Sequence, residues 1–250
     1  MATDSGDGTT GKHVAGDARK RRPLWQETIL LLVVALALAV VLKAFFVQAF
    51  YIPSASMEPG LIKNDRILVE RVSTWGGGRP QRGDVVVFDD PGGWLPPSSA
   101  GPANPLARAM ADIGIYPEGG HLVKRVIGVE GDVIHCCDDQ GRIEVNGQAL
   151  DEDSYVKDAD VVECRGPQGP GDCEWTAGPV PEGHLFVMGD NRTNSEDSSA
   201  HMCNADADCN QSPYVPVDLV VGKVFVLIWP ADRFGLLHRP ATFEDVPDPS

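Results

Sequence analysis

Two serines, Ser54 and Ser56, stand in Ile52-Pro53-Ser54-Ala55-Ser56-Met57-Glu58-Pro59, where two prolines hold the backbone out of a helix. A serine hydroxyl becomes a useful nucleophile only with a base beside it. The chain has no Gly-x-Ser-x-Gly elbow and no evident Ser-His-Asp order, which turns attention to Lys124 in His121-Leu122-Val123-Lys124-Arg125-Val126-Ile127-Gly128. On a strand, Leu122, Lys124 and Val126 share one face, and Val123, Arg125 and Ile127 the other. A lysine among such neighbours is either an edge-strand gatekeeper or a functional amine. To act as a base it must be neutral, and lowering its pKa from about 10.4 to about 8 takes roughly 3 kcal/mol, within the reach of burial. Arg125 cannot take that part, since a guanidinium stays protonated. A third segment, Val187-Met188-Gly189-Asp190-Asn191-Arg192-Thr193-Asn194-Ser195-Glu196-Asp197-Ser198, is either a polar turn after a buried strand or a holder for a lysine amine. The residues alone leave that choice open. The economical chemistry is acyl transfer by a serine with a lysine, which calls for no cofactor and no metal.

These residues need elements to carry them. The longest apolar run, Leu24 to Val47, has only Glu27 and Lys43 as charges, and its 24 residues extend roughly 36 Å as a helix, enough to cross about 30 Å of hydrocarbon. It is expected to be one transmembrane helix. Lys20-Arg21-Arg22 before it places the N-terminus in the cytoplasm, with Lys43 snorkelling to the outer interface. A cleaved signal peptide ending at Val47-Gln48-Ala49 is the alternative, disfavoured by the long segment before the run and by the run's own length. Ser56 lies eight residues beyond Gln48, within roughly 26 Å of the helix end. Any chemistry there happens close to the membrane surface.

Everything beyond the run is therefore expected outside the cytoplasm. All six cysteines (Cys136, Cys137, Cys164, Cys173, Cys203 and Cys209) fall there, as in a disulfide framework. Short loops suggest the local pairs Cys164 with Cys173 and Cys203 with Cys209, while adjacency strains a bridge between Cys136 and Cys137 and leaves them unassigned. His201 with Cys203 and Cys209 lacks the paired spacings of a zinc site. Asn204, Asp206 and Asp208 lack the turn glycine and terminal glutamate of a calcium loop.

The net charge is −15, and the part after residue 52 carries −17, which argues against nucleic acid as a partner. With 27 glycines and 20 prolines among 250 residues, short strands and many turns are favoured over a helical bundle. Strands are expected at Arg66 to Val72, Asp84 to Phe88, Leu122 to Val129, Ile143 to Val145 with Gln148 to Leu150, His184 to Met188, and Val221 to Trp229. Asn146-Gly147 marks a type I′ hairpin turn. The Pro/Gly/Ser-rich stretch 89–120, with a short helix at Pro105 to Ile113, reads as an inserted surface loop, and 151–182 and 200–216 as further excursions. The fold class is thus mostly β, with a cytoplasmic tail at 1–23, a transmembrane helix at 24–47, an extracytoplasmic β-rich domain at 48–240 and a flexible tail at 241–250.

Four ordered blocks resemble the bacterial type I signal peptidases. They are Pro53 to Pro59 after the span; Arg82-Gly83-Asp84-Val85-Val86-Val87-Phe88; Val123-Lys124-Arg125-Val126-Ile127-Gly128 with Gly131-Asp132; and Gly189-Asp190-Asn191-Arg192-x-Asn194-Ser195-x-Asp197-Ser198. The resemblance implies a membrane-bound serine endopeptidase that removes signal peptides from exported preproteins after small residues, as in Ala-x-Ala. It implies Ser56 as nucleophile, Lys124 as general base, and Ser54 as the hydroxyl joining the Ser56 amide in an oxyanion hole. Ser195 matches the serine that orients the lysine, and Asp197 a supporting carboxylate. It further implies exported preproteins and the lipid bilayer as partners, near the secretion translocon. Thr193 stands where the family often has Asp, and Ser199 where it often has an Arg paired with the carboxylate. Lysine rather than histidine at 124 favours the bacterial over the endoplasmic-reticulum type. A soluble self-cleaving Ser/Lys regulator and a non-enzymatic membrane-anchored β-domain are the rivals. The acidic charge and the apolar run oppose the first.

Overall fold

The computed structural model describes residues 24–71, 78–95, 120–157, 175–202 and 212–249. The chain divides into two units, Met1–Val41 and Leu42–Ser250. Helix α1, Leu24–Phe46, carries Glu27 in its first turn, where the helix dipole favours a negative charge. Its side chains from Ile29 to Leu38 are apolar and exposed on every face. Among the described residues no helix is long and apolar enough to cross a membrane. The described side-chain stretch of α1, Trp25 to Leu38, rises only about 21 Å at 1.5 Å per residue.

In the second unit the described strands are, in chain order, β1 (Val47–Tyr51), β2 (Arg66–Glu70), β3 (Val85–Asp89), β4 (His121–Gly128), β5 (Ile134–Cys136), β6 (Ile143–Val145), β7 (Gln148–Ala149), β8 (Trp175–Ala177), β9 (His184–Met188), β10 (Val215–Pro216), β11 (Val220–Trp229) and β12 (Gly235–Leu236). One antiparallel sheet runs β1-β2-β11-β3-β4-β9-β10, with β12 also on β11, and a smaller sheet runs β7-β6-β5-β8. Burial follows position. Val85 to Phe88 of β3, between β11 and β4, are buried on both faces, whereas β2 buries Ile67 and Val69 and turns Arg66 outward. Asn146 and Gly147 both take positive φ, 52° and 79°, as the type I′ turn between β6 and β7 requires.

Several expectations need correction. The chain passes from α1 straight into β1, which pairs residue by residue with β2 from Val47↔Glu70 to Tyr51↔Arg66. Strands β8 and β10 lie in stretches read as excursions, and β5 and β12 lie where no strand is expected from the sequence. The tail at 241–250 is not free along its described length. Phe243 and Val246 are buried with Tyr155 and Ile134 in one core cluster, Thr242 Oγ1 accepts the Asp151 amide at 2.7 Å, and the Pro247 carbonyl accepts Asn146 Nδ2 at 2.8 Å. Cys136 and Cys137, left unassigned, are bridged to each other at the end of β5. The helix at 105–113 and the pairs Cys164–Cys173 and Cys203–Cys209 lie outside the described residues.

Buried ion pairs lock the turn after β9. Arg125 on β4 makes a bidentate bond to Asp190 (2.8 and 2.7 Å), donates to the Gly83 carbonyl and lies 4.5 Å over the Tyr155 ring. Arg192 makes a bidentate bond to Glu152 (3.0 and 2.5 Å) and donates Nε to the Gly189 carbonyl. Burial works against the Arg192 charge, but Glu152 outweighs it and holds the guanidinium above its ordinary pKa. Glu152→Gln leaves that guanidinium buried opposite a neutral partner. It is expected to lower stability by about 3–5 kcal/mol, measured by urea unfolding of the full chain. A loss under about 1 kcal/mol would show that the pair is not needed to hold the turn.

Candidate active site

The Ser56 loop is set by what surrounds it. Ile52, Met57 and Leu61 sink into the core beneath β1 and β2, and Ile52 and Asp65 close the loop's base by a backbone bond of 2.9 Å. From the other side, the turn after β9 grips the loop. The Asn191 amide donates to the Ser56 carbonyl and Asn191 Nδ2 to the Ala55 carbonyl, both at 3.0 Å. Gly189 must be bare at this point, because a Cβ there would meet Ser195 Oγ and the Ser56 carbonyl oxygen.

Lys124 sits on β4 opposite Val86 of β3 and is 3% exposed. Its Nζ donates to Ser56 Oγ at 2.8 Å. Burial lowers the Lys124 pKa from 10.5 to about 8, with Asp197, Glu196 and Asp190 partly opposing the shift. A buried amine that gives up its proton near neutrality, bonded to a serine hydroxyl, is suited to general-base acyl transfer. Ser54 Oγ lies 3.3 Å from Ser56 Oγ. Both serines and Lys124 open into a cavity of about 350 Å³ whose other walls include Phe50, Ile52, Leu95, His121, Leu122 and Val123.

The two residues of the third segment behave differently. Ser195 is buried beside Gly189, and its Oγ has no hydrogen-bond partner among the described residues. Asp197 is fully buried and accepts from the Gly189 amide (2.9 Å), the Ser199 amide (3.0 Å) and Ser199 Oγ (2.7 Å). Ser199 thus supplies two neutral donors to this buried carboxylate. Asp197 braces the β9 turn and adds its field at Lys124. Sequence reading missed the Arg125–Asp190 and Arg192–Glu152 pairs, whose only sequence signal is the charged composition of Gly189-Asp190-Asn191-Arg192. Among the described residues no group of His, Cys, Asp and Glu is arranged to hold a metal ion. His201 is engaged instead by a 2.8 Å contact with the Asp197 carbonyl.

Residues 25–229 match the family described as signal peptidase, peptidase S26. The chain is similar, at 36% identity over 253 residues, to the signal peptidase I of Mycobacterium tuberculosis (strain H37Rv), covering 95% of this chain and 83% of that protein. It is also similar, at 31% identity over 180 residues, to the signal peptidase I U of Bacillus subtilis (strain 168), covering 72% and 80%. The solved signal peptidase I of Enterococcus faecalis V583 aligns with a TM-score of 0.32 at 23% identity, covering 58% of this chain and 96% of that one. The chain belongs to the signal peptidase family, peptidase S26, and is a serine peptidase.

Proposed function

We propose that this peptidase cleaves the signal peptides of exported preproteins after small residues, as in Ala-x-Ala, with Ser56 as nucleophile and Lys124 as general base. The 2.8 Å bond between a buried lysine amine and Ser56 Oγ carries this reading. In the neutral form of Lys124, Ser56 Oγ–H gives its proton to Nζ as Oγ bonds the substrate carbonyl carbon. The oxyanion accepts from the Ser56 amide and the Ser54 hydroxyl. Collapse breaks the C–N bond, and the Lys124 ammonium returns the proton to the leaving amine. A water then gives a proton to neutral Lys124 while its oxygen attacks the ester. Ser56 leaves as its hydroxyl and the new carboxyl end departs. Ser195 has a free hydroxyl with which to orient Nζ, and Asp197 holds the turn that carries Ser195.

The apolar, all-round surface of α1 from Ile29 to Leu38 supports a single membrane span, since such a helix is stable only when buried in protein or lipid. Lys20-Arg21-Arg22 supports a cytoplasmic N-terminus and a catalytic domain outside. The family's substrates, exported preproteins, support work at the bilayer surface near the translocon. The test is incubation of the purified chain in detergent with a peptide bearing an Ala-x-Ala site. Mass spectrometry should find one cut after the second alanine.

Because only neutral Lys124 accepts the proton, kcat/KM should rise with pH and level off above an apparent pKa near 8. A limb near 6.5 that vanishes in His121→Gln would assign the base to histidine instead.

A further inference from the structure

Neighbouring side chains on β4 point to opposite faces, so Lys124 and Arg125 report on two different surroundings. Lys124 opens into the cavity that holds Ser56, whereas Arg125 meets Asp190, the Gly83 carbonyl and the Tyr155 ring. Behind two of those three partners stands Phe243 of the C-terminal segment. Its ring lies 6.1 Å from that of Tyr155, tilted by 39°. It also presses on Gly83, where a Cβ would meet the Phe243 ring at 2.7 Å. The segment is fastened on either side of the ring. Thr242 Oγ1 accepts the Asp151 amide at 2.7 Å, Arg82 Nη1 donates to the Val246 carbonyl at 3.4 Å, and Asn146 Nδ2 to the Pro247 carbonyl at 2.8 Å. None of the described residues 241–249 lines the cavity.

From Tyr155 two routes converge on the Ser56 loop. Its ring carries Arg125, which holds Asp190, and its hydroxyl donates at 3.1 Å to Glu152, which holds Arg192. Between Asp190 and Arg192 stands Asn191, whose amide and Nδ2 hold the Ser56 and Ala55 carbonyls. A close-packed interior transmits displacement along such a chain of contacts.

We propose that Phe243 is a positioning residue: by backing Tyr155 and Gly83 it fixes Arg125, and with it the turn that sets Ser56 Oγ against Lys124 Nζ. This rests on the roles proposed for Ser56 and Lys124. Without the ring, Tyr155 and Arg125 gain room to shift, and the turn shifts with them while every residue lining the cavity keeps its identity. A displacement on the order of 1 Å at the reacting atoms costs about 10²-fold in rate.

The experiment measures kcat and KM of the full chain in detergent for an Ala-x-Ala peptide, with urea unfolding of each variant alongside. Phe243→Leu, which keeps an apolar side chain but removes the ring, should lower kcat about 10-fold to 100-fold with KM within about twofold of wild type. Phe243→Tyr, which keeps the ring, should hold kcat within about threefold. Val246→Ala takes apolar volume from the same core cluster without removing a ring, and should lower the urea midpoint yet leave kcat within about twofold. The proposal is overturned if Phe243→Leu keeps kcat within about twofold, if KM moves instead, or if Val246→Ala or Phe243→Tyr loses as much kcat as Phe243→Leu. Should Phe243→Leu fail to fold, Phe243→Met is read in its place, and loss of the fold in both would make the segment a structural strap and equally overturn the proposal. Failure of the wild-type chain to cut the peptide would instead overturn the proposed function, and the positioning role with it.

Discussion

Ser56→Ala and Lys124→Ala should each lower kcat for an Ala-x-Ala peptide by at least about 10⁴-fold, and the double variant should lose little more, because the two residues act as one unit. The 2.8 Å bond puts the proton to be moved directly between them, with no other basic side chain in hydrogen-bond contact with Ser56 Oγ among the described residues. Stability separates a lost base from a lost fold. The Lys124 pKa is lower in the folded protein than in the unfolded chain, so folding is penalised below pH 8, where both states would bind the proton. The penalty shrinks between about 8 and 10.5 and is gone above that, since neither state is then charged. Lys124→Met should therefore be inactive yet up to about 3 kcal/mol more stable than wild type at pH 7, with the difference fading at high pH. Activity of Lys124→Ala within tenfold of wild type would remove Lys124 from the role of base.

How far the chain's letters disclosed this arrangement depends on the range of the interaction. Lys124 is legible as an amine among apolar neighbours once Ser56 needs a base and no Ser-His-Asp order competes, and its role as general base comes from the resemblance. The strands β2, β3, β4, β9 and β11 announce themselves by short apolar runs that the large sheet buries. By contrast β1 is masked by the apolar run before it, and β5 and β8 are three residues each, too short to show a period. Of the tail's described residues only Phe243 and Val246 join the core, isolated among polar residues and prolines. The ion pairs that lock the β9 turn join residues 65 and 40 positions apart, a separation no local pattern records. Ser199 was noticed as a departure from the family. Its consequence, a buried carboxylate satisfied by neutral donors, needed the fold.

Ser54 is the remaining residue whose part rests on where charge develops. Its side chain is exposed to the cavity, and its Oγ stands 3.3 Å from Ser56 Oγ, close enough to reach an oxygen that forms on the carbon Ser56 attacks. The ground-state carbonyl carries little charge and the tetrahedral intermediate a full one, so a hydroxyl aimed at that oxygen acts mainly on the barrier. Ser54→Ala should thus lower kcat by about 10²- to 10³-fold, or roughly 2.7 to 4 kcal/mol, with little change in KM. Ser54→Thr keeps a donor at the same atom and should retain much of the rate. Were Ser54→Ala to raise KM with kcat unchanged, the hydroxyl would be binding substrate before reaction. If neither constant moved, the Ser56 amide would be acting without Ser54, and the serine would be only a turn residue between Pro53 and Pro59.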